Sequence, residues 1–297
     1  MKPQTSFISI VIPTYNRPER LKECLESLTN LEYPRDSYEV VVVDDGSKIS
    51  LEPVVEIFKN QLEITLIKQV NQGPATARNT GANQAKGEFL AFTDDDCKPA
   101  PDWLNKIAAC FANAPDSLIG GKTINILSEN PFSTASQELI NYLYSYYNED
   151  PQKATFFASN NIAISKDRFH KIGGFDTTFP LAAAEDREFC DRWLQYGNRM
   201  IYAPEVNVYH AHKLTLSSYW KQHFFYGRGA FCFHQIRAKR AHREIKVEPM
   251  SFYFNLLKYP LSQNISQPKL LLSALLFLSQ VAGVAGFFWE INYQTSN

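Results

Sequence analysis

Residues 89–96, Phe-Leu-Ala-Phe-Thr-Asp-Asp-Asp, set the tightest limit on what this chain can fold into. Four apolar residues in a row, two of them aromatic, have the composition of a strand buried on both faces. The run stops at three acids, Asp94, Asp95 and Asp96. A buried strand that delivers carboxylates at its C-terminal end places them where open α/β sheets bind ligands. Three adjacent anions repel one another, and a cation among them relieves the repulsion. Oxygen donors of this kind suit a divalent ion, Mg²⁺ or Mn²⁺. A solvated acidic turn or helix cap is the alternative reading of the same residues.

The residues before this stretch repeat its design. Residues 7–12 predict a first strand, closed by Pro13, Thr14, Tyr15 and Asn16. Pro18 opens a helix with Leu21, Cys24, Leu25 and Leu28 on one face. Residues 38–43 predict a second strand ending in Asp44, Asp45, Gly46 and Ser47, and a short helix follows with Leu51, Val54, Val55 and Phe58 inward. Residues 63–68 predict a third strand. A turn at Gly73 then opens a small-residue helix carrying Arg78, and Pro101 starts another helix through Ala114. Wholly apolar strands alternating with helices predict an α/β fold, Rossmann-like, its mostly parallel sheet covered by helices on both faces. The three polar strand ends then share one crevice, although each alone is also an ordinary turn. Arg78, near a helix start, is suited to a phosphate; a solvated surface arginine is its alternative.

The formal net charge of the 297 residues is −1, so no global basic field points to nucleic acid. Five scattered cysteines without CxxC spacing argue against a disulfide framework and a structural zinc site. No signal-like apolar region opens the chain. A reducing, cytoplasmic location is the expectation.

Beyond residue 116 the pattern changes. Residues 119–127 predict a strand. Residues 133–148 predict a helix whose Tyr142, Tyr144, Tyr146 and Tyr147 either stack on a ring-shaped ligand or pack the helix. Asn160 and Asn161 precede a short strand and suit either ligand hydroxyls or a turn. A glycine turn at Gly173 and Gly174 leads to a helix with Phe189, Trp193 and Tyr196 inward and Glu185 and Asp186 in its first turn. Acids there complement the helix dipole, or one serves as a general base facing a cleft. His210 and His212, two apart on a strand or turn, point the same way and are either metal ligands or structural. A helix over residues 216–243 carries Trp220, Phe224, Phe225 and Phe231 with Arg237, Lys239, Arg240, His242 and Arg243, as a membrane-surface helix or an ordinary basic face. Residues 270–289 have the length of a bilayer span, but Ser273, Ser279, Gln280, Gly283 and Gly286 interrupt them. A membrane-associated helix is the reading adopted, with a span and a buried core helix as the others.

Taken together and in order, the Ile-Val-Ile-Pro-Thr-Tyr-Asn-Arg strand end, Val-Val-Asp-Asp-Gly-Ser, Asn-Gln-Gly-Pro-Ala-Thr-Ala-Arg-Asn-Thr-Gly, Phe-Thr-Asp-Asp-Asp and Gly-Gly-Phe-Asp followed by Glu-Asp closely resemble the family 2 glycosyltransferases of the GT-A fold. The likeness covers about residues 7–210, and five motifs in sequence make it specific. It implies an inverting transfer of a sugar from a nucleotide-diphosphate donor, with a UDP-sugar the first to test, to an acceptor hydroxyl. The donor site it implies comprises Pro13, Thr14, Tyr15, Asn16, Asp45, Gly73, Arg78, Asp94 and Asp95, with Asp45 reading the base and Arg78 near base or diphosphate. Asp94 to Asp96 match the family's Asp-X-Asp motif: Asp96 holds the divalent ion and Asp94 holds ribose or ion. His210 falls where some members place a histidine near the diphosphate, and Asp186 matches the general base. Residues 213–243 look like a bacterial subset whose acceptors are poorly defined. The implied division is a nucleotide-sugar-binding half (1–115), an acceptor-binding half of the same domain (116–215) and a helical C-terminal region (216–297). A phosphohydrolase with an aspartate nucleophile is the rival reading, disfavoured by Cys97-Lys98-Pro99 after the acids. An inactive binding module is the other, disfavoured by intact Asp94, Asp96 and Asp186.

Overall fold

The computed structural model describes residues 6–179, 183–241 and 248–296. In chain order the elements are β1 (Ile8–Thr14), α1 (Pro18–Leu28), β2 (Tyr38–Asp44), α2 (Glu52–Glu56), β3 (Ile64–Lys68), α3 (Pro74–Gln84), β4 (Phe89–Thr93), β5 (Cys97–Pro99) and α4 (Trp103–Asn113). They continue with β6 (Leu118–Asn125), α5 (Pro131–Tyr147), β7 (Asn161–Ser165), α6 (Lys166–Lys171), α7 (Glu185–Gln195), β8 (Met200–His210), α8 (Leu216–Ala241), α9 (Met250–Ser262) and α10 (Lys269–Ser296).

All eight strands join one sheet in the order β3-β2-β1-β4-β7-β6-β8-β5. The first four pair in parallel; β7 is antiparallel to both β4 and β6, and β5 is antiparallel to β8. β1, β2 and β4 are buried along their whole lengths, because both faces are covered. The alternation of side chains divides them between two cores. Ile8, Ile10 and Ile12 meet Leu21, Leu25 and Leu28 of α1 on one face. Val11, Leu90 and Phe92 meet Phe169, Phe189 and Trp193 on the other. α3 lies close on the sheet: a Cβ on Gly81 would stand 2.5 Å from Val11 Cγ1.

The pairing of β5 with β8 brings the end of β8 to the acids that follow β4. β6 and β8 keep register from Leu118↔Met200 to Gly121↔Ala203, then jump to Lys122↔Asn207. Asn161 stitches this irregularity. It accepts from Trp103 Nε1 at 2.9 Å and donates to Lys122 O at 3.0 Å and Val206 O at 2.9 Å. Buried backbone carbonyls need donors, so Asn161 is committed to the scaffold and is no reader of ligand hydroxyls. Past the jump, His210 lies opposite Cys97.

Of the two uses open to the tyrosines of α5, the contacts are those of packing: Tyr142 donates to Phe252 O at 2.7 Å, Tyr147 to Glu248 at 2.7 Å, and the Tyr144 hydroxyl accepts from Ala158 N at 2.9 Å. The inward placement expected of Tyr196 is corrected. Tyr196 is 62% exposed because α7 ends at Gln195, one residue short of the inward face. In α8, Arg237 pairs with Asp191 at 3.1 Å and Arg240 pairs with Glu188, so part of the basic run is neutralised by α7. His242 and Arg243 lie outside the described residues.

α10 is long and apolar enough to cross a membrane. It runs beside α8 with glycines at the crossing, where a Cβ on Gly227 would collide with Gly283 O and one on Gly286 with Phe224 O. Gly227→Val is therefore expected to destabilise the chain by about 1–3 kcal/mol through overpacking, read as a lower urea midpoint; an unchanged midpoint would mean that the two helices separate without cost.

Candidate active site

Three strand ends form one wall, as their position at the carboxyl edge of a parallel sheet requires. Pro13 and Thr14 close β1, Asp45 follows β2, and Asp94, Asp95 and Asp96 follow β4. A cavity of about 790 Å³ is lined by all of these together with Tyr15, Arg17, Gly73, Arg78, Glu185, Asp186, His210 and His212. Asn16 is not on its wall. With φ at 55° it turns away, its backbone N–H donating to Ser47 Oγ and its side chain accepting from Lys48 N, both at 2.8 Å.

Asp45 organises the approach to α3. Its carboxylate accepts from Gln69 Nε2 at 2.7 Å, Gln72 N at 2.9 Å and Gly73 N at 2.8 Å. A carboxylate has about four acceptor sites, which leaves one for a ligand. Gly73 has φ 87°, a conformation that glycine adopts freely, and it lets Pro74 open α3 at this spot.

The three acids have three different environments. Asp94 is the most open and accepts from Arg78 Nη2 at 2.8 Å. Asp95 is buried, accepting from Thr14 Oγ1 at 2.8 Å and Arg17 Nη1 at 3.1 Å. Burial pushes its carboxyl up to about 6 against the pull of Arg17, helped by the charge of Asp96. Asp96 is also desolvated by burial, yet hydrogen bonds and charge from His210 and His212 hold its carboxyl well below the usual aspartate value. His210 Nε2 is 3.3 Å from one Asp96 oxygen and His212 Nδ1 is 3.5 Å from the other. The β5–β8 pairing produces this meeting, reinforced by a bond from Ala211 N to Asp96 O at 2.9 Å.

Asp96, His210 and His212 form a group whose donor atoms all lie within 4.8 Å of one another. Neighbouring ligands of one six-coordinate ion stand about 3 Å apart for bonds of about 2.1 Å, so the donor set fits a divalent cation. Asp94 stands outside this group, tied to Arg78. Sequence reasoning passed over two more partners: Arg20 Nη1 is 2.8 Å and Arg17 Nη1 3.6 Å from Asp96. The signal was an arginine pair three apart in the first turns after the rim of β1.

On the far side, Asp186 and Glu185 open α7. Ala184 precedes them at φ 72°, a strained left-handed conformation for a residue with a Cβ. Glu185 is buried and accepts from Arg78 Nη1 at 3.1 Å. Burial first, and then the charge of Asp186, raise its carboxyl to about 7. Asp186 faces the cavity, accepts from Arg187 N at 2.7 Å, and is likewise raised by desolvation. Arg78 thus ties the Asp94 wall to the α7 wall, with its Nε buried and without a hydrogen-bond partner among the described residues. Asn79, next to it, fixes the glycine turn by accepting from Phe175 N and donating to Phe175 O, both at 2.8 Å.

A family model described as Glycosyl transferase family 2 matches residues 9–173. Among curated relatives, glycosyltransferase AglE of Haloferax volcanii is 30% identical over 227 residues, covering 75% of this chain and 72% of the relative. Of several longer relatives the chain spans less than half. Among solved structures, mannosyltransferase PcManGT from Pyrobaculum calidifontis, in complex with GDP-Man and Mn²⁺, is similar with a TM-score of 0.63 at 21% identity, covering 94% of this chain and 76% of that one. Residues 1–349 of S. aureus TarS, in complex with UDP-GlcNAc, give 0.56 at 17% identity, covering 98% and 92%. The fold is that of these neighbours, GT-A, and the family match covers the strand-end wall of the cavity with Arg78, while Glu185, Asp186, His210 and His212 lie beyond its last residue. The chain belongs to glycosyl transferase family 2 and is a glycosyltransferase.

Proposed function

We propose that the chain transfers a sugar, with inversion, from a nucleotide-diphosphate donor to an acceptor hydroxyl, with Asp186 as general base and a divalent ion at Asp96, His210 and His212. The observation that supports this reading is that both groups open on one cavity, with Arg78 bridging their sequence neighbours Asp94 and Glu185. Pro13, Thr14, Tyr15 and Gly73 are assigned to the nucleoside, and the one free acceptor site of Asp45 to a base N–H. Uracil and guanine both offer such a donor, so a UDP-sugar is the first donor to test and a GDP-sugar the second; TarS and PcManGT hold one of each. Two imidazoles beside one carboxylate favour Mn²⁺ over the harder Mg²⁺. Bound there, the ion supplies Lewis-acid stabilisation of the departing diphosphate.

The other steps belong to side chains of this chain. Arg17, half-exposed on the cavity wall, is free to turn from Asp95 to a diphosphate oxygen. Arg78 holds Asp94 for the ribose and Glu185 for the start of α7. Asp186 takes the acceptor's proton from the face of the sugar opposite the leaving group, as in inverting carbohydrate chemistry with oxocarbenium character. The reading places the reaction in the reducing cytosol, where scattered thiols persist.

Incubation with a panel of nucleotide sugars and Mn²⁺ tests the reading: nucleoside diphosphate is released, and the product has the opposite anomeric configuration by NMR. Retained configuration, or release of inorganic phosphate, overturns it. The pH profile adds a second check. Asp186 must be ionised to accept a proton, so activity is present above its folded value and lost as pH falls through it. Because burial raises that value above the ordinary 3.8, kcat/KM is expected to fall about tenfold per pH unit along an acid limb lying above it. A limb at or below 3.8 removes Asp186 from the role.

A further inference from the structure

We propose that α9 and α10 form a surface that docks on an anionic phospholipid bilayer, with α10 lying in the membrane plane and not crossing it. The inference goes beyond the transferase reading and does not depend on it. Its basis is a helix whose polarity is inverted. Along α10, Leu270, Phe277, Val281, Val284 and Phe288 are 40–78% exposed, at spacings of seven, four, three and four residues. They form one stripe ~27 Å long. On the side turned inward, Ser279 and Glu290 are each only 2% exposed. Ser279 donates to Leu276 O at 2.6 Å, and Glu290 accepts from Arg228 Nε at 2.6 Å. A helix whose outer face met only water would carry the opposite pattern. α9 continues the surface with Met250, Phe254 and Leu261, between 48 and 69% exposed. Of the 22 large hydrophobic residues exposed among the described residues, 14 lie beyond residue 215, so the feature belongs to this helical layer and not to the surface at large.

Charge selects the occupant. Residues 211–297 contain ten Lys and Arg against three Asp and Glu, in a chain whose overall charge is −1, although Arg228, Arg237 and Arg240 are paired with Glu290, Asp191 and Glu188. Lys221, Lys258 and Lys269 are exposed in this layer, whereas Glu290 is buried and Glu248 is bonded to Tyr146 and Tyr147. A basic, apolar layer complements anionic headgroups above acyl chains. A second copy seated on the same patch would set like charges against each other. A transverse span is excluded by what α10 rests on. Leu272 packs with Ala135 of α5, and Tyr219 of α8 donates to Leu275 O at 2.9 Å. α5 supplies Ser133, Ser136 and Gln137 to the cavity wall. Lipid on every side of α10 would put that polar wall in hydrocarbon, so only the outer stripe is available to it.

The test is flotation of the full chain with vesicles of phosphatidylcholine alone or with ~30% phosphatidylglycerol. Binding to the anionic vesicles is expected to exceed binding to neutral ones by at least about tenfold and to weaken in high salt. The double substitution Phe277→Glu and Phe288→Glu is expected to lower anionic binding at least about tenfold, with circular dichroism and thermal melting unchanged. Equal flotation of the variant and the natural chain overturns the proposal, as does equal binding to both vesicles. Membrane-bound chain that resists alkaline carbonate extraction overturns it in favour of a span. A lipid-free dimer in light scattering that the double substitution dissociates overturns it in favour of a second copy.

Discussion

Asp186→Asn is expected to lower turnover by ~10²–10⁴-fold, the usual worth of a positioned general base, while donor affinity changes little. The amide keeps the size of the carboxylate and its bond to Arg187 N, so the start of α7 stays in place. What is lost is the ability to take a proton. The effect therefore falls on kcat, and because the interaction is made only in the transition state, kcat/KM falls in step. Glu185→Gln is the control. Glu185 is buried against Arg78, so its loss acts through the position of α7 and through stability. Should Glu185→Gln cost the larger factor in kcat while Asp186→Asn remains near normal, the base is Glu185.

Asp96→Asn is expected to remove most of the metal-dependent part of nucleotide affinity, more than about 100-fold, since altering even an outer partner of a metal ligand costs ~10–100-fold. Asp96 is the sole carboxylate of its group of three, and an amide brings no charge. Calorimetry of a nucleoside diphosphate with and without Mn²⁺ reads this directly. Arg17 and Arg20 lose an ion-pair partner in the same variant, so a circular dichroism melt accompanies the titration. Equal enhancement by Mn²⁺ in both proteins would show that the ion sits elsewhere.

Much of the fold was legible because it rests on local signals. Apolar runs marked β1, β2 and β4, Pro18 marked the opening of α1 and the turn at Gly73 that of α3, and the acids after β4 marked the rim. What stayed hidden depends on pairing across long sequence separations. β5 has three residues, too few for any periodicity, yet its register against β8 brings His210 and His212 to Asp96. Asn161 stayed open between ligand hydroxyls and a turn because asparagine before a strand carries no mark of the backbone groups it will satisfy. Arg17 and Arg20 carry no local mark that sets them apart from other cations near a helix start, and only the closed sheet shows which acids they meet. In α10 the apolar positions were plain, but periodicity does not say which face meets protein. The buried Glu290 does.

Arg78 gives the site one further property. A single guanidinium is shared by Asp94 and Glu185, so positions 78, 94 and 185 form one thermodynamic unit, and the penalty for altering any of them is conditional on the state of the other two. Double substitutions within this trio will depart from additivity. A chain drifting away from this one would exchange the three as a set, or leave all three alone.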